Sequence, residues 1–164
     1  MECLRLTTQW KEPLLEFLSA LLDSNDTQNF YPHQFTAEAV EQIIHNSHSD
    51  LYYVLVEGDH VLGYGLLRGW DEGFEIPSLG IAIHPNARGI GLGRALMLFL
   101  SVAAKRKGAR KIRLRVKLDN LRARALYESL GYKFESEENN YLIGFLALDQ
   151  IEDSRRTSRV GNRE

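Results

Sequence analysis

The chain has little that could staple, anchor or export it. Cys3 is its only cysteine, which excludes an internal disulfide and any zinc site built from several cysteines. A reducing compartment, the cytoplasm, is the expected setting. The longest strongly apolar run, 95–104, is interrupted by Ser101 and covers about half of the ~20 residues that a membrane crossing needs, so no membrane partner is expected. No basic segment followed by a long apolar stretch opens the chain, and no secretory signal is expected. Internal repeats and low-complexity blocks are absent. Net charge is scarce too: 20 Lys+Arg stand against 22 Asp+Glu, leaving a formal −2 and no overall field to draw the protein to nucleic acid.

What is present suits one globular core. The chain has 164 residues, of which 44% are hydrophobic and 26% charged. The small net charge hides a division. Residues 1–70 hold 3 basic against 10 acidic side chains, whereas residues 88–133 hold 13 basic against 2 acidic. One part of the surface can therefore hold a polyanion while another attracts a cation, although solvated charge spread over the surface explains the counts equally well.

Leu4 to Thr7 alternates like a short strand. Residues 13–22 and 37–45 carry helical stripes, the second capped by Thr36. Between them lies an aromatic loop, Phe30-Tyr31-Pro32-His33-Gln34-Phe35. Residues 51–57 and 61–67 flank Gly58-Asp59 as a hairpin. A further strand is expected over 75–84, ended by Pro85. The best helix is 91–107, with Leu92, Ala95, Leu96, Phe99, Leu100 and Ala103 on one stripe and Gly108 as its cap. Ile112, Leu114 and Val116 alternate with Arg113, Arg115 and Lys117 as a strand with one apolar face. A second helix spans 120–130 before Gly131, and short strands follow over 132–135 and 141–148. The fold class is α/β (α+β): about seven strands in a mixed central sheet with about four helices, one domain over 1–148 and a polar tail over 149–164. Strand 75–84, helix 91–107 and strand 110–117 form a βαβ unit with a parallel pair.

Between that strand and helix stands Pro85-Asn86-Ala87-Arg88-Gly89-Ile90-Gly91-Leu92-Gly93-Arg94. Alternate glycines bring bare backbone N–H groups close to a ligand, and the following helix adds unpaired donors and partial positive charge. Arg88 and Arg94 flank the loop with charge-assisted donors. A nucleotide P-loop needs Lys-Ser or Lys-Thr after the glycines, and a dinucleotide fingerprint needs Gly or Ala where Leu96 stands. A plain flexible connector leaves the two arginines unexplained.

Arg88-x-x-Gly91-x-Gly93, after a strand ending Ile83-His84-Pro85, resembles the acetyl-CoA pyrophosphate loop of the GNAT superfamily of N-acetyltransferases. Asp119-Asn120-Leu121-Arg122-Ala123 through Leu126-Tyr127 to Gly131-Tyr132 is similar to that superfamily's second motif. The resemblance implies a GNAT-like fold and transfer of an acetyl group from acetyl-CoA, as cosubstrate and without a metal, to a primary amine. Direct attack in a ternary complex is the implied mechanism. A catalytically silent acyl-CoA-sensing module of the same fold is the alternative. Arg88, Gly89, Gly91, Gly93, Arg94, Asn120 and Ala123 would bind the coenzyme. The main chains of Ile81 and Ile83 would pair with its pantetheine arm.

Tyr127 matches the general acid, since a phenol holds its proton at neutral pH; packing on an amphipathic helix is its other reading. Asn120 is a coenzyme ligand or a plain helix cap. For the general base no carboxylate lies within 77–84, so Glu75 is the first choice, followed by Glu72, Asp71 and His33, with a water chain as a substitute. The aromatic loop with Phe30, Tyr31 and Phe35, and with Trp70 as a further candidate, is where the resembling family forms its acceptor pocket; core packing is the other reading of these aromatics. His45, His48 and Asp50 make at most half a metal site. Cys3 reads as a small buried residue. The acceptor is an amine on a small molecule or a peptide N-terminus. Oligomeric state stays open, though relatives of such a fold often pair as homodimers.

Overall fold

The structure is a computed structural model, and it describes residues 1–24 and 28–149. The tail expected over 149–164 lies outside the described residues from 150 onward. Eleven principal elements follow in the order β1 (Glu2–Arg5), α1 (Lys11–Asp23), α2 (Ala37–Asn46), β2 (Leu51–Glu57), β3 (His60–Arg68), β4 (Ser78–Ile83), α3 (Leu92–Arg106), β5 (Lys111–Lys117), α4 (Leu121–Ser129), β6 (Lys133–Glu138) and β7 (Tyr141–Ala147). The seven strands form one sheet in the order β1-β2-β3-β4-β5-β7-β6. Every neighbouring pair is antiparallel except β4 and β5, which are parallel. The mixed sheet and four helices expected from the sequence are present.

Alternation along the strands gives the sheet two apolar faces. One face, with Val54, Val56, Tyr64, Leu66 and Ala82, is covered by Leu14, Phe17, Leu18 and Leu21 of α1 and Val40 of α2. The other, with Leu67, Leu79, Ile112, Leu114 and Val116, is covered by Leu96, Met97, Leu100 and Ala104 of α3. Full burial of a leucine such as Leu100 contributes about 1.5–3 kcal/mol. Two glycines on β3 let α3 come this close: a Cβ at Gly65 would stand 2.9 Å from Leu100 Cδ1, and one at Gly63 would stand 3.4 Å from Leu96 Cδ2.

Local chemistry sets the boundaries. Thr36 caps α2 by accepting the Ala39 N–H at 3.2 Å. Pro13 sits in the first turn of α1, where no N–H is needed, so the helix begins at Lys11 and not at the proline. The strand expected over 75–84 is shorter, because Pro77 has no N–H for the ladder. The stripe expected on α3 is rotated: Leu92, Leu96, Met97, Leu100, Ser101 and Ala104 are buried, while Ala95 and Phe99 are exposed. Ser101 tolerates this position because its hydroxyl donates to the Met97 carbonyl at 2.8 Å. Phe99 packs edge-on against Tyr53 instead, with ring centroids 4.9 Å apart.

Candidate active site

β4 and β5 share one register pair, Ser78 with Arg113, whereas β3 and β4 stay paired from Gly63–Ile83 to Arg68–Ser78. The Arg113 N–H also donates to the Pro77 carbonyl at 2.9 Å. Beyond that point β4 is held only on its β3 side, and the sheet opens. His84 donates its N–H to Leu62 of β3 at 2.8 Å. By strand alternation, the N–H and C=O groups of Ile83 and Ile81 therefore point to the other edge, into the opening. Their side chains pack with the α3 core, so these residues offer main chain to the gap and apolar groups to the interior.

The opening belongs to a cleft of about 410 Å³. Ile81, Ile83, Arg88, Gly89, Gly91, Gly93, Arg94, Asn120, Ala123 and Tyr127 all line it. Gly89 and Gly91 have φ of +87° and +90°, a left-handed conformation that side-chain-bearing residues avoid. Gly91 is the N-cap of α3 without any side-chain cap, so the first N–H groups of that helix face the cleft unpaired within the helix. Arg88 donates from Nε to the Ile83 carbonyl at 3.0 Å, bridging the loop and the end of β4. Arg94 reaches across to α4 and donates to Ser129 Oγ at 3.0 Å.

Asn120 caps α4, its Oδ1 accepting the Ala123 N–H at 3.2 Å. The cap also commits the Ala123 amide, so Ala123 lines the cleft without offering a donor to it. Tyr127, one turn further on, stands with its ring centroid 5.9 Å from that of Tyr132. Burial pushes the Tyr127 hydroxyl up to about 12.

A second cleft, of about 440 Å³, adjoins the first at Asn29 and Phe30, which line both. Phe30 is the partition. Its ring makes an edge contact with Tyr64 at 6.1 Å, and its Cε2 stands 3.3 Å from where a Cβ on Gly80 would be. The second cleft is lined by Tyr31, Arg68, Glu72, Phe74, Arg113, Arg115 and Tyr141 among others. Tyr31 and Phe74 are exposed aromatics on its rim.

The residues expected to act as base are dispersed. Glu75 is exposed and lines neither cleft. Glu72 does line the second one. The Asp71 carboxylate accepts the backbone N–H groups of Ser49 at 2.7 Å, His48 at 3.1 Å and Asp50 at 3.3 Å, while the Asp71 N–H donates back to Asp50 Oδ1 at 3.2 Å. The Ser49 N–H above all holds the Asp71 carboxyl below the usual carboxylate range, which makes it a loop clamp. His33 is tied by Nδ1 to the Gln34 carbonyl at 2.7 Å and by Nε2 to the Tyr64 hydroxyl at 3.0 Å. A carbonyl only accepts, so Nδ1 carries the proton and Nε2 receives the tyrosine's hydrogen bond. Both nitrogens are committed, and burial lowers the imidazole pKa.

Trp70 also departs from expectation: it packs against the α3 core with Lys107 Nζ 5.2 Å above its ring, away from the second cleft. Phe35 packs at a tilt against Tyr31 and edge-on against His33 without lining that cleft. His45 Nδ1 hydrogen-bonds the Glu41 carbonyl at 2.8 Å, and among the described residues no group of three or more His, Cys, Asp or Glu could hold a metal ion. Half-burial pushes the Cys3 thiol up to about 11, far from a nucleophile's range. No helix among the described residues is long and apolar enough to cross a membrane. Sequence reasoning missed Arg68, Arg113, Arg115 and Tyr141. The signal for two of them was the polar face of β5.

The profile of the acetyltransferase (GNAT) family matches residues 16–132. The [Ribosomal protein bS18]-alanine N-acetyltransferase of Escherichia coli K12 is 37% identical over 67 residues, 41% of this chain and 45% of that protein. A mycothiol acetyltransferase of Geodermatophilus obscurus is 35% identical over 86 residues, 49% of this chain and 28% of that protein. The chain thus spans less than half the length of these curated relatives. The PaiA N-acetyltransferase of Thermoplasma acidophilum, solved in complex with coenzyme A, superposes with a TM-score of 0.74 at 17% identity, covering 89% of this chain and 98% of that one; this likeness concerns the fold. The family match runs from within α1, through the glycine loop, to the residue after Gly131, and with that coverage the protein belongs to the acetyltransferase (GNAT) family.

Proposed function

We propose that the protein is an acetyl-CoA-dependent N-acetyltransferase that moves the acetyl group to a primary amine by direct attack in a ternary complex, with residues 1–148 as the catalytic unit. The observation that carries this reading is the opening between β4 and β5. It brings the glycine loop, the free edge of β4 and Tyr127 into one cleft, with a second cleft on the far side of Phe30. The relative named for the alanine of a ribosomal protein fits an amine acceptor.

The residues suit the coenzyme. Beyond the adjoining residues, no heavy atom stands within 4 Å of the point where a Cβ would lie at Gly89 or Gly91, which leaves room at the start of α3 for a diphosphate. Arg88 and Arg94 add charge there, and Arg122 lines the same cleft. The Ile81 and Ile83 main chains bind the amide-bearing arm as an added strand, and the Ile81 N–H polarises the thioester carbonyl. The thioester supplies an activated acetyl group and a thiolate leaving group. Glu72, in the second cleft, takes the base's part first given to Glu75 and receives the amine's proton directly or through water. Asn120 and Ala123 position α4, and with it Tyr127.

Tyr127 donates a hydrogen bond to the departing sulfur. A phenol near 12 and a thiol near 8.5 differ by about 3.5 units, so full proton transfer to a solvated thiolate costs about 5 kcal/mol. Hydrogen bonding to a desolvated sulfur avoids most of that cost, because the same burial that raises the phenol also makes the thiolate more basic.

The test is twofold. Titration calorimetry should detect acetyl-CoA binding, and a panel of amines should include at least one that releases free thiol from acetyl-CoA. Absence of any heat of association removes the reading altogether. Binding without turnover across the panel leaves only an acyl-CoA-binding fold.

A further inference from the structure

We propose that the second cleft recognises an acceptor whose amine is accompanied by an oxyanion, a carboxylate or a phosphate, on the same small molecule. This rests on the acetyltransferase reading of the first cleft. The charge distribution is the starting point: Arg68, Arg113 and Arg115 line the second cleft against a single carboxylate, Glu72.

Strand register places the three arginines. Arg68 of β3 pairs with Ser78 of β4, and Ser78 pairs with Arg113 of β5, so the three residues form one lateral row. At about 4.8 Å between strands, the two arginine backbones stand roughly 10 Å apart with a small hydroxyl between them. Arg115 lies two residues along β5 on the same face, roughly 7 Å further. The face opposite to Arg113 and Arg115 holds Ile112, Leu114 and Val116, so the guanidinium groups are fixed on the cleft side by the burial of their neighbours.

No carboxylate among the described residues forms an ion pair with any of these three arginines. Arg68 Nη1 donates to the Pro32 carbonyl, Arg113 Nη1 approaches Ser78 Oγ at 3.5 Å, and Arg115 lies 3.8 Å above the Tyr141 ring centroid. These contacts orient the guanidinium planes and leave their charge uncompensated. Three like charges around one cavity repel one another, and an oxyanion seated among them relieves that repulsion while taking paired N–H donors from a fork that fits its geometry. Glu72 supplies the opposite sign on the same wall and suits the ammonium end of the acceptor before its proton is lost. The cleft is therefore bipolar, and its volume of about 440 Å³ suits a small molecule. An acidic amino-terminal half attracting a bare polycation is not the arrangement found at this site.

The experiment uses the full chain loaded with coenzyme A. Arginine side-chain Nε–H resonances are followed by NMR while matched probes are added: β-alanine with its amide, 4-aminobutyrate with its amide, phosphoethanolamine with ethanolamine, and spermidine alone. At least one oxyanion-bearing probe should shift the resonances of Arg113 and Arg115 and bind about 10-fold or more tightly than its partner without the oxyanion, as expected for charge-assisted hydrogen bonds. Comparison of the carboxylates with phosphoethanolamine tells which oxyanion is preferred. Arg115→Gln should abolish that preference, whereas Lys111→Gln, on the same strand but outside the cleft, should retain it. If the amides, ethanolamine and spermidine bind as well as the oxyanion-bearing probes, or if no oxyanion moves these resonances, the proposal is overturned. Thiol release measured alongside separates the two readings: selective anion binding without turnover counts against the acetyltransferase, and turnover indifferent to the anion counts against this inference.

Discussion

The Tyr64 hydroxyl and the Nε2 atom of His33 lie 3.0 Å apart, joining the aromatic loop between α1 and α2 to the buried centre of β3. This bond fixes one end of the loop whose other end, Phe30 and Tyr31, forms the partition and rim of the second cleft. Titration of His33 should be visible in stability. Burial lowers its pKa in the folded state from an ordinary 6.5, so the folded protein resists the proton that the unfolded chain accepts. The stabilisation is whole above pH 6.5 and is lost as pH falls from there through the lowered folded value. Denaturation midpoints between pH 8 and 5 should fall in that window, and His33→Gln should flatten that part of the curve. An identical slope in both proteins rejects the assignment.

Tyr127→Phe should lower kcat by about 10²-fold while changing coenzyme affinity by less than about 3-fold, since a hydroxyl placed for the leaving sulfur acts in the reaction and not in binding. Because the wild-type phenol holds its proton to about 12, the pH–rate profile should show no limb from this group below about pH 11. Steady-state kinetics paired with calorimetry decide the point. Equal loss of affinity and rate assigns Tyr127 a packing role.

Gly91→Ala forces a side chain to φ near +90°, where nothing crowds the Cβ but the backbone itself is strained. A stability loss of about 1–2 kcal/mol and an approximately 10-fold weaker coenzyme are expected, the second through displaced N–H donors at the start of α3. Thermal melts and titration read the two effects separately. Unchanged affinity would show that the loop backbone makes no contact.

Asp71→Asn should loosen the turn around 48–50. Three charge-assisted acceptor bonds are weakened, but the carboxylate is exposed, so the cost is about 1 kcal/mol and not several. Its lowered pKa means the clamp is intact above about 3.8 and released as pH falls through the folded value. Faster amide exchange at Ser49 in the variant, with kcat unchanged, is the expected signature. A large loss of kcat would instead return Asp71 to the list of bases.

The sequence made the first cleft legible because its features are local. A glycine run over 89–93 between a strand and a helix is one local pattern, an asparagine cap with a tyrosine about two turns later is another, and both reach the same cleft. The second cleft depends on relations that no local pattern carries. The alternation of Ile112, Leu114 and Val116 with Arg113 and Arg115 was plain, but only the Ser78–Arg113 register tells which cleft the arginines enter. Glu75 and Glu72 differ by three positions in one loop, and the turn around Gly69–Phe74, closed by the Phe74 N–H on the Gly69 carbonyl at 2.9 Å, decides which one meets the cavity. The helical stripe on α3 misled for a similar reason: Ser101 looked outward by composition and is inward by virtue of one hydrogen bond.

The gap beside Ile81 and Ile83 offers amides, which every residue type but proline possesses. Substitution can therefore run freely along that stretch, within the limits of packing, and leave the offered groups unaltered. Across the Phe30 partition the wall is written in side chains, where exchange of a single arginine rewrites what is admitted. A cavity pair built this way can hold its main-chain side constant while its side-chain side is exchanged.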